Sequence, residues 1–174
     1  MIVMNLLQTI RAIEKTAALQ PNVGTVVRND IFRLNASPVV RYGVFAWLQN
    51  EHSTNAETGI ITYNFTFFYV DRLTARKDNE LAIQSQGIET LENILKALPD
   101  LGLFPGGYSF RTFNQRFADE CPGVFCNVSI EAAKDTLCSW AYAFIEGEGA
   151  YDLEYNEDSH VFEWKTQDRT VYVI

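Results

Sequence analysis

Residues 59–73, GIITYNFTFFYVDRL, form the stretch that most limits what this chain can fold into. β-Branched and aromatic side chains fill it and no proline interrupts it. Apolar residues lie on both sides for much of its length: Ile60, Ile61, Tyr63, Phe65, Phe67, Phe68, Tyr69 and Val70. That pattern predicts a long strand near the centre of a sheet. After the charged turn DRLTARKDN, residues 80–98 carry Leu81, Ile88, Leu91, Leu95 and Leu98 at helical spacing, with Ile94 widening the stripe. Asn79 or Asp78 is placed to cap the first turn, and PDLG ends the helix after Leu98. A buried strand followed by a one-faced helix implies a helix packed on a sheet.

The rest of the chain fits around that pair. Residues 5–19 predict a first amphipathic helix, with Leu6, Ile10, Ile13 and Ala17 on one face and Leu7 beside them. Arg11, Glu14 and Lys15 are expected to point away from that face. QPNVG ends this helix, and TVVRNDIFRL follows as a first strand or an extended arm. Beyond Ser37 and Pro38, VVRYGVFAWLQN reads as a strand. Val40, Tyr42, Val44, Ala46 and Leu48 line one of its faces, and Phe45 and Trp47 the other. Residues 50–57 are polar and aperiodic, so they are expected to form the tip of a projecting hairpin.

After the helix, LGLFPGG is a loop and YSFRTFNQRF a strand whose apolar parity switches. A bulge near Thr112 would reconcile its halves. ADECPG reads as a turn. VFCNVSIEA alternates cleanly, with Val124, Cys126, Val128 and Ile130 on one face. LCSWAYAFIEG is strand-like, with a short helix as the alternative its Ala residues allow, and the acidic segment 146–174 is expected to hold one or two edge strands around NEDS. The expectation is one α+β domain over residues 1–174, a mainly antiparallel sheet with an N-terminal and a central helix packed on it.

Composition narrows the chemistry. Fourteen basic against twenty-two acidic side chains give a net charge of -8, which argues against a surface that grips phosphate backbones. The charge is uneven: residues 1–45 hold five basic and two acidic side chains, residues 146–169 eight acidic and two basic. Oppositely charged surfaces could therefore meet between subunits, although solvation alone also explains the split. The twelve Phe, eight Tyr and three Trp exceed what packing a small domain needs, so some are candidates for interfaces, with a thick aromatic-rich core as the equal alternative. The N-terminal MIVMNLLQTIRAIEK lacks a basic region before its apolar run and does not read as a signal peptide. No run is long and apolar enough to predict a transmembrane helix.

Catalytic and ligand motifs are not apparent. His52 and His160 both fall in polar segments. Cys121 and Cys126 are five apart, a poor match to zinc-site spacing, and with Cys138 they read as free thiols. Gly102, Gly106 and Gly107 form no phosphate-binding loop, and neither Asp119 with Glu120 nor Glu89 with Glu92 is distinguished as an acid–base pair. No cofactor or metal is expected, and the reading is non-enzymatic. The pair Asp71 and Arg72, directly after the strongest strand, is suited to tying down the following loop or to meeting a partner. Arg41, Arg111, His52 and Asn55 complete the candidate interface residues, each with simple solvation as the alternative. Arg116 could pair with Asp119 or Glu120, or with a neighbouring subunit.

The segments FFYVDRLTARKDNELAIQSQGIETLENIL and YSFRTFNQRFADECPGVFCNVSIEA resemble small neck and tail proteins of tailed bacteriophages that infect Bacteroidetes, the crAss-like phages in particular. Tyr69-Val70-Asp71-Arg72-Leu73, Ile83-Gln84-Ser85-Gln86-Gly87-Ile88 and Phe117-Ala118-Asp119 are its most specific pieces, within roughly residues 58–131. The resemblance implies a virion protein without a cofactor, a subunit of a connector or tail-completion ring at the head–tail junction. Its implied partners are further copies of itself, about six or twelve in a ring with heterologous contacts, and neighbouring portal, neck or tail proteins. Genomic DNA would pass through unbound, and assembly would take place in the host cytoplasm. The alternative is a protein–protein interaction module or phage accessory protein of the same fold.

Overall fold

A computed structural model describes residues 5–31, 40–116, 121–133, 153–158, 161–165 and 170–173. Helix α1 spans Leu6–Ala18. Its start is fixed by a reciprocal pair of bonds: the Asn5 side chain accepts from the Gln8 N–H at 2.9 Å, and the Gln8 side chain accepts from the Asn5 N–H at 2.8 Å. Ile13 and Ala17 are buried as expected, with Leu6 and Ile10 packed partly against the same core. Glu14 departs from expectation. It is fully buried, because the sheet beneath α1 supplies partners for its carboxylate.

Helix α2 spans Glu80–Ala97 and runs into a 3-10 turn at Leu98–Leu101. Ile83, Gly87, Leu91, Ile94, Leu95 and Leu98 face the core, and Ile88 lies at the margin. Leu81, expected on the packed face, is instead 79% exposed. It lies two residues from Ile83, roughly 200° around the helix, so only one of the two can face the sheet. The expected cap is also absent as such: the Asn79 side chain makes no cap bond. It accepts from the Thr74 N–H at 2.9 Å and donates to the Arg72 carbonyl at 3.2 Å. Asp78 accepts from the Thr74 hydroxyl at 2.7 Å. Both residues brace the loop before the helix.

The strands are β1 (Thr25–Arg28), β2 (Val44–Asn55), β3 (Ile60–Val70), β4 (Phe104–Pro105), β5 (Ser109–Arg116), β6 (Cys121–Ala133), β7 (Leu153–Asn156), β8 (Val161–Lys165) and β9 (Thr170–Val173). They form one nine-stranded sheet in the order β4-β6-β3-β2-β1-β9-β8-β7, with β5 also paired to β6. Pairing is antiparallel except where β1 runs parallel to both β2 and β9. The fold is α+β, as expected, and β3 sits inside the sheet between β2 and β6.

Several boundaries differ. The second strand begins at Val44, and residues 50–55, expected in a loop, continue it to the pair Asn55 and Ile60. Backbone pairing with β3 holds this polar stretch extended despite its lack of apolar alternation. The first strand is only four residues long, and Cys121–Gly123, expected in a turn, already belong to β6. The register of β5 shifts between Phe113 and Arg116, just beyond the expected bulge near Thr112. Among the described residues the acidic segment holds three strands, not one or two. The readings of Ser37, Pro38, Phe117, Asp119, Glu120, Cys138, His160 and the run 137–147 lie outside the described residues.

The helices cover one face of the sheet. There Tyr63, Phe65, Phe67 and Tyr69 of β3 lie beside Phe45 and Trp47 of β2 and Val124, Cys126, Val128 and Ile130 of β6. The rings of Phe45 and Phe67 meet edge to face at 5.3 Å, and those of Trp47 and Phe65 at 6.1 Å. Tyr69 organises this core. Its side chain is fully buried, and its hydroxyl donates to the Asn22 carbonyl at 3.3 Å. A side chain at Gly87 would meet the Tyr69 ring at 2.9 Å, and one at Gly43 would collide with its hydroxyl. The opposite face has a smaller core of Val27, Ile31, Val44, Ala46, Val70, Phe113 and Cys121. It is confined to the Val70 end of β3, so the two-sided burial expected for much of the strand holds only there.

Candidate functional site

The six interface candidates do not form one patch. Asp71, Arg72 and Arg41 belong to the end of the sheet where β3 finishes and β2 begins, because Val44 pairs with Val70. The Asp71 carboxylate accepts from the Arg72 N–H at 2.7 Å. Burial pushes that carboxyl above its ordinary value, and the same N–H offsets part of the rise. The Arg72 guanidinium lies over the Tyr42 ring at 4.9 Å. These contacts join Arg72 to Asp71 and to Tyr42 ahead of β2, while Asn79 and Asp78 brace the loop that follows. The Arg41 N–H donates to the Thr25 hydroxyl at 2.8 Å. Its guanidinium reaches the Thr170 carbonyl at 3.2 Å and lies 5.7 Å from the centre of the Tyr172 ring. Arg41 therefore ties the segment before β2 to β9.

His52 and Asn55 occupy the far end of the β2–β3 hairpin. His52 pairs in register with Tyr63, and their rings are 6.4 Å apart. Asn55 accepts from the N–H groups of Glu57 and Thr58 at 2.9 and 3.2 Å, closing the turn with its own side chain. Residues 50–58 are all exposed. Arg111 is exposed in the third location, on β5 opposite Phe125.

The most organised polar centre was not expected from sequence. The Arg28 guanidinium donates twice to Glu14, from Nε to Oε1 and from Nη2 to Oε2, each at 2.7 Å. The Trp47 indole N–H adds a bond to Oε1 at 3.2 Å. A carboxylate removed from water requires such partners, and here they pin α1 to β1 and β2. Its only sequence signal is a glutamate within an otherwise well-packed helix, which equally suits a solvent-facing position.

The two described cysteines, Cys121 and Cys126, are buried. They cannot act together, because Cys126 belongs to the core beneath the helices and Cys121 to the one on the opposite face. An odd separation along a strand puts them on opposite sides. Burial pushes the Cys126 thiol up to about 12, against a partly offsetting bond from the Phe67 backbone. Among the described residues no cluster of three or more His, Cys, Asp or Glu could hold a metal ion, and no helix is long and apolar enough to cross a membrane. Comparison with protein-family models finds no match, and comparison with curated proteins finds none either.

Proposed function

We propose that this chain is a non-enzymatic structural protein of a tailed-phage virion, one subunit of a closed ring around the DNA channel at the head–tail junction. The observation that carries the reading is the resemblance across residues 58–131. Its described residues include β3, α2, β4, β5 and β6, the centre of the fold rather than a peripheral loop. Tyr69 and Gly87, both within the most specific matching pieces, are neighbours in the core, where a side chain at Gly87 would meet the Tyr69 ring. The exposed end of the β2–β3 hairpin is compatible with an arm reaching a neighbouring subunit. The net charge of -8 suits a passage that does not retain DNA.

The test is location in an assembled particle. Antibody labelling or direct imaging is expected to find the chain at the neck, and particles made without it are expected to be incomplete. Complete, DNA-filled and infectious particles lacking the chain would overturn the reading. Labelling of infected-cell extract but never of particles would favour an accessory interaction protein.

A further inference from the structure

Strand β3 begins and ends in exposed turns of opposite charge. Before it, residues 51–57 at the hairpin tip carry Glu51 and Glu57 and no Lys or Arg. After it, residues 72–77 carry Arg72, Arg76 and Lys77 and no Asp or Glu. Asp71 and Asp78, on either side, are held within the loop by the Arg72 N–H and the Thr74 hydroxyl. Residues 50–58 and 74–78 are all exposed. Among the described residues, the side chains of Glu51, Glu57 and Arg76 make no ion pair or hydrogen bond.

Both turns keep their shape without those charges. The Asn55 side chain closes the tip by accepting from the Glu57 and Thr58 N–H groups. In the loop, the Lys77 N–H donates to the Thr74 carbonyl at 2.9 Å, and Asn79 accepts from the Thr74 N–H. Turns already ordered in this way lose little conformational freedom when they dock. They cannot meet within one chain. The eleven residues of β3, at roughly 3.3 Å each, hold them about 35 Å apart.

Resting on the ring reading above, we propose that the acidic hairpin tip of one copy docks on the basic loop of the next, with Arg76 meeting Glu57. Opposite charge selects this pairing, because tip against tip or loop against loop sets like charges together. Exposed Glu131, in register with Thr62 of the same hairpin, extends the acidic end, and exposed Arg41 extends the basic one. The contact joins different surfaces of two identical copies, the heterologous kind that closes a ring. Because those surfaces lie at opposite ends of β3, the strands of the sheet run around the ring rather than along its bore.

Zero-length cross-linking tests the contact. The full chain carrying R76K, mixed from unlabelled and nitrogen-15-labelled preparations at high concentration, is treated with a carbodiimide. This reagent condenses a carboxylate with an amine in direct contact and takes up the water released, leaving as a urea. Covalent multimers are expected, with an amide bond joining position 76 of one copy to Glu57 of a differently labelled copy. The bond is expected to be lost in R76K/E57Q and regained in the reversed pair R76E/E57K. No multimers, or multimers joined only outside the tip and the loop, would overturn the proposal. A missing link with particles still labelled at the neck would remove this contact alone; the link without neck labelling would instead remove the ring's virion role.

Discussion

The two faces of the sheet contrast most sharply along β3, where successive residues alternate between them. Beneath the helices, Tyr63, Phe65, Phe67 and Tyr69 form an unbroken aromatic row. On the other side Phe68 and Val70 are apolar, but Thr62, Asn64 and Thr66 are not. A polar ladder replaces packing there: Asn50 donates to Thr66 at 3.0 Å, Thr66 to Asn127 at 2.8 Å, and Ser129 to Asn64 at 2.6 Å. The difference teaches where stability resides. Apolar burial and ring packing hold the helix-covered face, whereas the ladder exchanges bonds to water for bonds within the protein at little net gain.

The sharpest test compares neighbours on those faces. Phe65→Ala is expected to destabilise the chain by about 3–5 kcal/mol in urea unfolding, since it removes a fully buried ring. Thr66→Ala, one residue on, should lie at the other end of the scale. Near-equal losses would erase the distinction between the faces.

Between those limits, Glu14→Ala is expected to cost about 2–4 kcal/mol, because Arg28 and Trp47 lose their shared acceptor. The Arg28 side chain is 30% exposed, which lets water recover part of the loss. Glu14→Gln retains an acceptor and should lose less; a Gln loss equal to the Ala loss would mean that the charge itself, rather than the shared acceptor, pins α1. Gly87→Val is expected to cost about 1–3 kcal/mol by overpacking, since its first carbon already meets Tyr69 at 2.9 Å and Val124 at 3.0 Å. A neutral outcome would show that the contact around Tyr69 is loose.

Alkaline titration addresses the same covered face. Burial raises the Tyr63, Tyr69 and Cys126 values, Cys126 from an ordinary 9.0 to about 12. The unfolded chain therefore releases protons that the folded chain retains, so stability falls as pH rises above 9 toward 12. Urea midpoints measured across that window check the sign; a midpoint that rises would contradict it. The smallest expected effect is Thr66→Ala itself, about 0.5–1 kcal/mol or less.

Much of the candidate site was hidden from sequence because its contacts are long-range. Asp71 and Arg72 were legible as the end of a strong strand because that is local information, whereas the Tyr42 ring beneath Arg72 was not. Asn55 was legible only as a hairpin residue; that its side chain closes the turn required the geometry of Glu57 and Thr58. Arg41 meets Thr170, 129 positions away, and no periodicity near either residue announces it.

By itself the sequence determined the two helices, the long strand at residues 60–70 and the alternation of Val124, Cys126, Val128 and Ile130. Each follows from spacing along a few turns or a few strand residues. Tertiary structure decided which rows met. It turned Leu81 outward in favour of Ile83 and drew Glu14 inward to Arg28. It also set β9 parallel to β1 across nearly the whole length of the chain. The physical reason is that periodicity fixes which side chains share a face, while the choice of partner for that face depends on groups brought together only when the sheet forms.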